Sequence, residues 1–104
     1  MKDLKEISKN QEEDLLFWSM QNVIEDLPTI YTEFGLDYEE VDILLENLYD
    51  DLKDSNYLEI MNDAISLVRI VRLDLINNKI DLTVMKNVLD GLLTIIEISA
   101  KRYK

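Results

Sequence analysis

Apolar residues recur at intervals of three and four positions along most of this chain, and little in the sequence interrupts a helix. Only two glycines and one proline occur in 104 residues. Because a β protein needs more turn residues and alternating polarity, the pattern predicts an all-α fold. Polar breaks divide the chain into helices at about residues 10–27, 38–53, 57–77 and 84–101. Four helices with short connections are typical of an antiparallel up-down four-helix bundle, here a single domain, 1–104.

Residues that favour helix ends mark these boundaries. Pro28 is expected to end or kink the first helix near Leu27, because proline lacks the amide hydrogen that a helix interior uses. Gly35 is expected to adopt the left-handed conformation that stops any further turn. Gly91, inside the last helix, is expected to let a neighbouring helix approach closely. The candidate N-caps are Asn10, Asp37, Asn56 and Thr83.

Two sets of side chains on the helices have more than one interpretation. Phe17 and Trp18 are either core residues or interface anchors, and the core is the commoner place for aromatic residues on a helix face. Arg69 and Arg72 share a face of the third and most apolar helix. We expect them to pair with acids of the second helix, the alternative being that they point together toward a partner.

The residue types that most often carry chemistry are missing. The sequence has no cysteine and no histidine, which excludes disulfides, thiol catalysis and the usual zinc sites. Its many carboxylates fall mostly off the apolar stripes, as on a solvated surface, and no glycine-rich phosphate loop is present. We therefore expect no enzyme, no metal and no cofactor. The N-terminal residues contain no apolar stretch typical of a signal, so we expect a soluble, cytoplasmic protein.

Charge is distributed unevenly along the chain. The net charge is −11, which disfavours direct binding of nucleic acid because phosphates require a basic surface. Residues 10–63 hold 16 acidic residues and one basic residue, whereas residues 64–104 hold seven basic and four acidic residues. The acidic segment either binds a cationic partner directly or keeps the protein soluble.

The chain ends on a basic, aromatic segment: Lys101, Arg102, Tyr103 and Lys104. Basic residues in a last helical turn complement the negative end of the helix dipole. Alternatively, the segment stays free and docks on the anionic inner surface of a membrane, or on the cytosolic face of a membrane protein. On the second interpretation these four residues, with Arg69 and Arg72, form the partner-binding site.

Three stretches, LLENLYDDLKDS, AISLVRIVRLDLINNKIDLT and LDGLLTIIEISAKRY, resemble the immunity proteins of the enterocin A and pediocin-like (class IIa) bacteriocin group. The likeness covers about residues 41–103 and consists of a leucine-rich helix, a long helix, a short link and a last helix with a basic-aromatic end. The matching residues are Leu44, Leu48, Tyr49, Leu52, Asn78, Lys79, Ile80, Leu82, Thr83, Leu89, Leu92, Ser99, Arg102 and Tyr103.

The resemblance implies a cytosolic four-helix bundle that protects a producing cell from its own bacteriocin. Such proteins are understood to act at the membrane sugar permease, of the mannose phosphotransferase type, that the bacteriocin has engaged. The C-terminal half would set which bacteriocin is resisted, with Arg102, Tyr103 and outward residues of the last helix as the recognition surface. A monomer or a weak homodimer, in peripheral contact with the inner membrane face, is expected.

Two other functions fit the sequence. The acidic segment is compatible with an inhibitor, antitoxin or DNA mimic that occupies a basic site on a nuclease, although its acids are spread around the helices rather than spaced like phosphates. The surplus apolar surface of the third helix is compatible with a structural or regulatory bundle that dimerises.

Overall fold

The computed structural model describes residues 4–103, with side chains from residue 11 onward. It contains four α-helices: α1 (Leu4–Glu33), α2 (Glu39–Lys53), α3 (Tyr57–Asn77) and α4 (Lys86–Tyr103). A 3-10 turn, Leu82–Met85, precedes α4. No strand occurs among the described residues. The all-α prediction is confirmed, and α2 and α3 lie within one residue of their predicted positions.

The predicted first helix was too short at both ends. It begins at Leu4, so Asn10 lies within the helix and is not its cap. The six residues before Asn10 include neither glycine nor proline, so nothing in them opposes a helix. At the other end α1 continues through Pro28 to Glu33.

Packing explains why Pro28 does not stop α1. Proline inside a helix costs about 3 kcal/mol. Leu27 and Tyr31, on either side of it, are completely buried, and full burial of a large apolar side chain contributes about 1.5–3 kcal/mol each. The hydroxyl of Thr29 donates a hydrogen bond to the Glu25 carbonyl (3.0 Å).

The first three α-helices end in the same way. At the end of α1, Gly35 has a φ of +66°, and the next amide donates back to the carbonyl of Tyr31 (2.9 Å). This is the Schellman arrangement, and the prediction for Gly35 is confirmed. Ser55 (φ 55°) and Lys79 (φ 54°) hold the corresponding positions after α2 and α3. Both are therefore in a conformation that is unfavourable for a residue with a Cβ atom.

The predicted caps have mixed outcomes. The Asn56 side chain accepts a hydrogen bond from the Glu59 amide, as predicted. Asp37 accepts one from the amide of Glu39 (3.1 Å), but the cap position itself belongs to the next residue. Thr83 is not a cap: it lies inside the 3-10 turn, and the Asp81 carboxylate accepts from both its amide and its hydroxyl.

The helices pack in the order α1, α4, α3, α2 around one hydrophobic core, and α1 and α2 contact each other only slightly. Gly91 of α4 faces Ser19 and Val23 of α1, where a Cβ atom would come within 3.0 Å of the Val23 side chain. The predicted role of this glycine is confirmed. The end of α4 meets the beginning of α1 at Glu12 and Glu13, so these two helices run antiparallel. The complete up-down order stays a prediction.

Candidate functional site

Two of the predicted docking residues of the C-terminal segment, Lys101 and Arg102, form ion pairs with α1. The Lys101 ammonium lies 2.6 Å from a carboxylate oxygen of Glu12. The Arg102 guanidinium lies 3.2 Å from Glu13 and 3.7 Å from Glu12. It also lies over the ring of Tyr57 at the beginning of α3, 5.8 Å from the ring centre. Arg102 therefore connects three helices at one end of the bundle.

These contacts restrict what the segment can offer a partner. The Arg102 side chain is only 13% exposed, whereas that of Lys101 is 71% exposed. The hydrogen bond from Lys101 is the main reason that the pKa of Glu12 is lowered, and the nearby charges of Lys101 and Arg102 act in the same direction. The expectation that the basic terminus is free to dock is wrong for Arg102, because its guanidinium forms ion pairs with Glu12 and Glu13 of α1.

The other two residues of this segment are Tyr103 and Lys104. Tyr103 is exposed at the end of α4, which is compatible with the predicted contact but does not test it. Lys104 lies outside the described residues.

Arg69 and Arg72 do not pair with the second helix. Both are exposed, and within residues 11–103 the cations that form ion pairs are Lys101 and Arg102 alone. The packing explains the difference: α2 covers the side of α3 that holds Asp63, whereas the two arginines lie on the solvent-facing side. The expected pairing with α2 is therefore wrong, and the alternative, that both arginines point toward a partner, stays a prediction.

A surface around Leu82 contains one of these arginines. Arg72, Ile76 and Ile80 line a hollow of about 210 Å³ together with Leu82. Leu82 also lines a second hollow, of about 350 Å³, with Lys86 and Leu93 among its other residues. We call these residues the Leu82 surface: Arg72, Ile76, Ile80, Leu82, Lys86 and Leu93.

The Leu82 surface combines exposed apolar side chains with unpaired positive charge. Ile76 and Leu82 are 69% and 61% exposed. Arg72 and Lys86 flank them, and neither forms an ion pair with a described residue. The exposed Asp90 lines the second hollow beside Lys86. An apolar patch whose rim carries two bases and one acid is suited to an amphipathic partner, such as a membrane protein near the lipid headgroups.

The predicted site residues that the structure describes do not all lie together. Arg102 contacts Tyr57 at the beginning of α3, while Arg69 and Arg72 lie 12 and 15 positions further along that helix. At 1.5 Å per residue these separations are about 18 and 22 Å. The described basic residues of the predicted set therefore form two separate groups, and their role in binding a partner stays a prediction.

The sequence-based predictions were also wrong for two aromatic residues, and they did not identify Leu82 as exposed. Trp18 is 64% exposed and Phe17 is about half exposed, so the core interpretation is wrong for both. Their rings contact each other edge to face on the outside of α1. Leu82 was assigned only to a link. Its position between two polar residues, Asp81 and Thr83, was a signal that it need not be buried.

Within the described range, no helix has the length and hydropathy needed to cross a membrane. No family model, curated protein or solved structure matches this chain.

Proposed function

We propose that this protein is a bacteriocin immunity protein that protects the producing cell at a membrane sugar permease engaged by a class IIa bacteriocin. The proposal places the contact with the permease complex on the Leu82 surface, on the inner side of the membrane. It extends the sequence resemblance, which had assigned recognition to the end of the last helix.

The observation that carries the proposal is the exposure of Leu82. This residue belongs to the link, Asn78 to Thr83, that supports the resemblance. Other matched residues, such as Leu92 and Ser99, are completely buried, so packing in the core is enough to explain why they match the family. Core packing does not explain Leu82, because most of its side chain is in solvent between two apolar hollows. Contact with a partner would explain why an apolar residue stands there.

Charge supports the same location. The chain as a whole carries −11 and would be repelled by an anionic membrane surface. Arg69, Arg72 and Lys86 place unpaired positive charge on the α3 and α4 side of the bundle, and each base near such a surface contributes about 1 kcal/mol of attraction. The bundle is thus expected to approach the membrane with α3 and α4 first.

Expression in a sensitive strain, followed by challenge with several class IIa bacteriocins, tests the proposal. We expect the wild-type protein to protect against at least one of them. Leu82→Asn combined with Arg72→Gln is expected to abolish protection while leaving the unfolding midpoint nearly unchanged, because both side chains are exposed. Ile43→Asn, an equally polar change at an exposed position of α2, is the matched control and should still protect.

Failure of the wild-type protein to protect against any of these peptides would overturn the proposal. Full protection by the Leu82→Asn, Arg72→Gln variant would overturn the location of the contact. The alternative, an acidic inhibitor of a nuclease, has its own readout: the purified protein would block cleavage by a cognate nuclease, and neutralising exposed acids of α2 would remove the block.

A further inference from the structure

The side of the bundle opposite the Leu82 surface is open. In the packing order α1, α4, α3, α2, the first and last helices contact each other only slightly, and a groove of about 450 Å³ lies between them. Ile24 and Pro28 of α1 and Leu45 and Tyr49 of α2 supply its apolar lining. We call this the α1–α2 groove.

One rim of the groove is a regular row of negative charge. Asp42, Glu46 and Asp50 line it at intervals of four residues along α2, which places them on one face over about 12 Å. All three are exposed, and none forms an ion pair with a described residue. An apolar floor beside a row of unneutralised carboxylates complements a ligand that is itself both apolar and positively charged.

The ring of Tyr49, which lines the groove, already contacts one cation. The Lys53 ammonium lies 4.6 Å from the centre of the Tyr49 ring, an arrangement in which the negative face of an aromatic ring attracts positive charge. Lys53 is the only basic residue between residues 10 and 63. The face of Tyr49 is therefore suited to an ammonium or guanidinium group, and Lys53 would compete with one brought by a partner.

We propose that the α1–α2 groove binds a basic amphipathic helix of a partner protein. Lysine or arginine side chains four residues apart on that helix would meet Asp42, Glu46 and Asp50, and its apolar side chains would cover Ile24 and Leu45. A symmetric pair of two copies joined at their grooves is disfavoured, because acidic α1 and α2 surfaces would face each other. The proposal does not depend on the immunity function, which uses the opposite side of the bundle.

Binding of a synthetic helical peptide tests whether the α1–α2 groove accepts a basic amphipathic helix. The probe is an amphipathic peptide of leucine, alanine and lysine with a lysine every fourth residue, and its partner control has glutamine in place of each lysine. We expect the lysine peptide to bind in a salt-sensitive way and the glutamine peptide to bind far more weakly. Substituting Asp42→Asn, Glu46→Gln and Asp50→Asn together should weaken binding about tenfold, as expected for three partly screened ion pairs.

Matched variants separate a specific groove from general charge attraction. Asp26→Asn, Glu33→Gln and Glu97→Gln remove the same number of exposed charges away from the groove and should leave most of the affinity. Tyr49→Ala should weaken binding, whereas Ile43→Ala, also exposed on α2, should not. Lys53→Gln should strengthen binding because it removes the competing cation.

Three results would overturn the proposal: no binding of the lysine peptide, equal loss of affinity in the two triple variants, or sedimentation showing that the groove is covered by a second copy. None of these bears on protection against bacteriocins, so the groove and the immunity function fail or succeed separately.

Discussion

The hydroxyl of Tyr31, on α1, donates a hydrogen bond to the Asp74 carboxylate on α3. Tyr31 is completely buried, and the bond joins two helices that are not neighbours in the packing order. Burial, followed by the hydrogen bond and the negative charge of Asp74, raises the pKa of the tyrosine hydroxyl. The hydroxyl therefore remains a donor at any ordinary pH, and it fixes the part of α1 that follows Pro28.

Tyr31→Phe tests the strength of this connection. The substitution keeps the ring in the core but removes the donor, and a hydrogen bond to a charged acceptor is worth about 1.5–3 kcal/mol. We expect the free energy of unfolding in urea, followed by circular dichroism, to fall by about 2 kcal/mol. Tyr49→Phe is the control, since Tyr49 is 42% exposed, and it should cause little change. Equal stability of the two variants would mean that the bond adds nothing.

The left-handed residues after α2 and α3 give a prediction of increased stability. Ser55 and Lys79 have positive φ angles, which cost a residue with a Cβ atom about 1–2 kcal/mol, partly offset because glycine loses more entropy on folding. We expect Ser55→Gly and Lys79→Gly each to raise the free energy of unfolding by about 0.5–1 kcal/mol.

The control for this prediction is Lys79→Ala, which removes the same long side chain but keeps a Cβ atom. It should not be stabilising. If alanine and glycine raised stability equally, the Lys79 side chain and not the backbone conformation would be responsible.

Two carboxyl groups at the α2–α3 contact, those of Asp51 and Asp63, predict that the stability of the fold depends on pH. Burial, the neighbouring Asp51 and, less strongly, Glu59 raise the pKa of Asp63 to about 6. Because this folded-state pKa lies above the unfolded value of about 3.9, the folded protein binds the proton more tightly. The tighter binding of this proton stabilises the folded protein fully below about pH 4, and the stabilisation is lost as the pH rises through about 6.

Asp63→Asn should remove that loss, because asparagine is uncharged at every pH. We expect the variant to be more stable than the wild type near neutral pH by about 1 kcal/mol, after allowing for solvent screening. The difference should shrink as the pH falls toward 4. Parallel urea titrations at several pH values measure it, with Asp42→Asn as the exposed control. A difference that does not vary with pH would contradict the assignment to Asp63.

The C-terminal ion pairs predict that neighbouring bases differ in importance. Arg102 contacts Glu12, Glu13 and Tyr57 and is mostly covered, whereas among residues 11–103 Lys101 forms an ion pair with Glu12 alone and is largely exposed. Arg102→Gln should lower the urea midpoint clearly, and Lys101→Gln should have little effect, as is usual for exposed pairs. Arg102→Lys should restore only part of the loss, because lysine lacks the planar guanidinium that lies on Tyr57. Equal effects of the Arg102→Gln and Lys101→Gln changes would show that burial of Arg102 adds nothing.

Local pattern accounted for most of the fold. Apolar spacing located α2 and α3, and the backbone freedom of glycine explained Gly35. The prediction that α1 could end near Leu27 was wrong, because the burial of Tyr31 depends on distant partners that a local rule for proline does not include.

The candidate site was less predictable, because it depends on which helices become neighbours. Arg102 looked free in the sequence, since Glu12 and Glu13 are almost ninety residues away along the chain. Trp18 looked like a core residue, because residue type was the guide and its position around the helix was given less weight. The α1–α2 groove exists only because these two helices do not close against each other, and no single segment encodes that.

The exposure of Trp18 also determines what tryptophan fluorescence can report about this protein. It is the only tryptophan and stands largely in water, so its fluorescence emission in the native state should already resemble that of an unfolded chain. Emission would then be a poor monitor of denaturation. It would instead respond to any molecule that settles against the outer side of α1, which makes it a built-in optical probe of that surface without an attached dye.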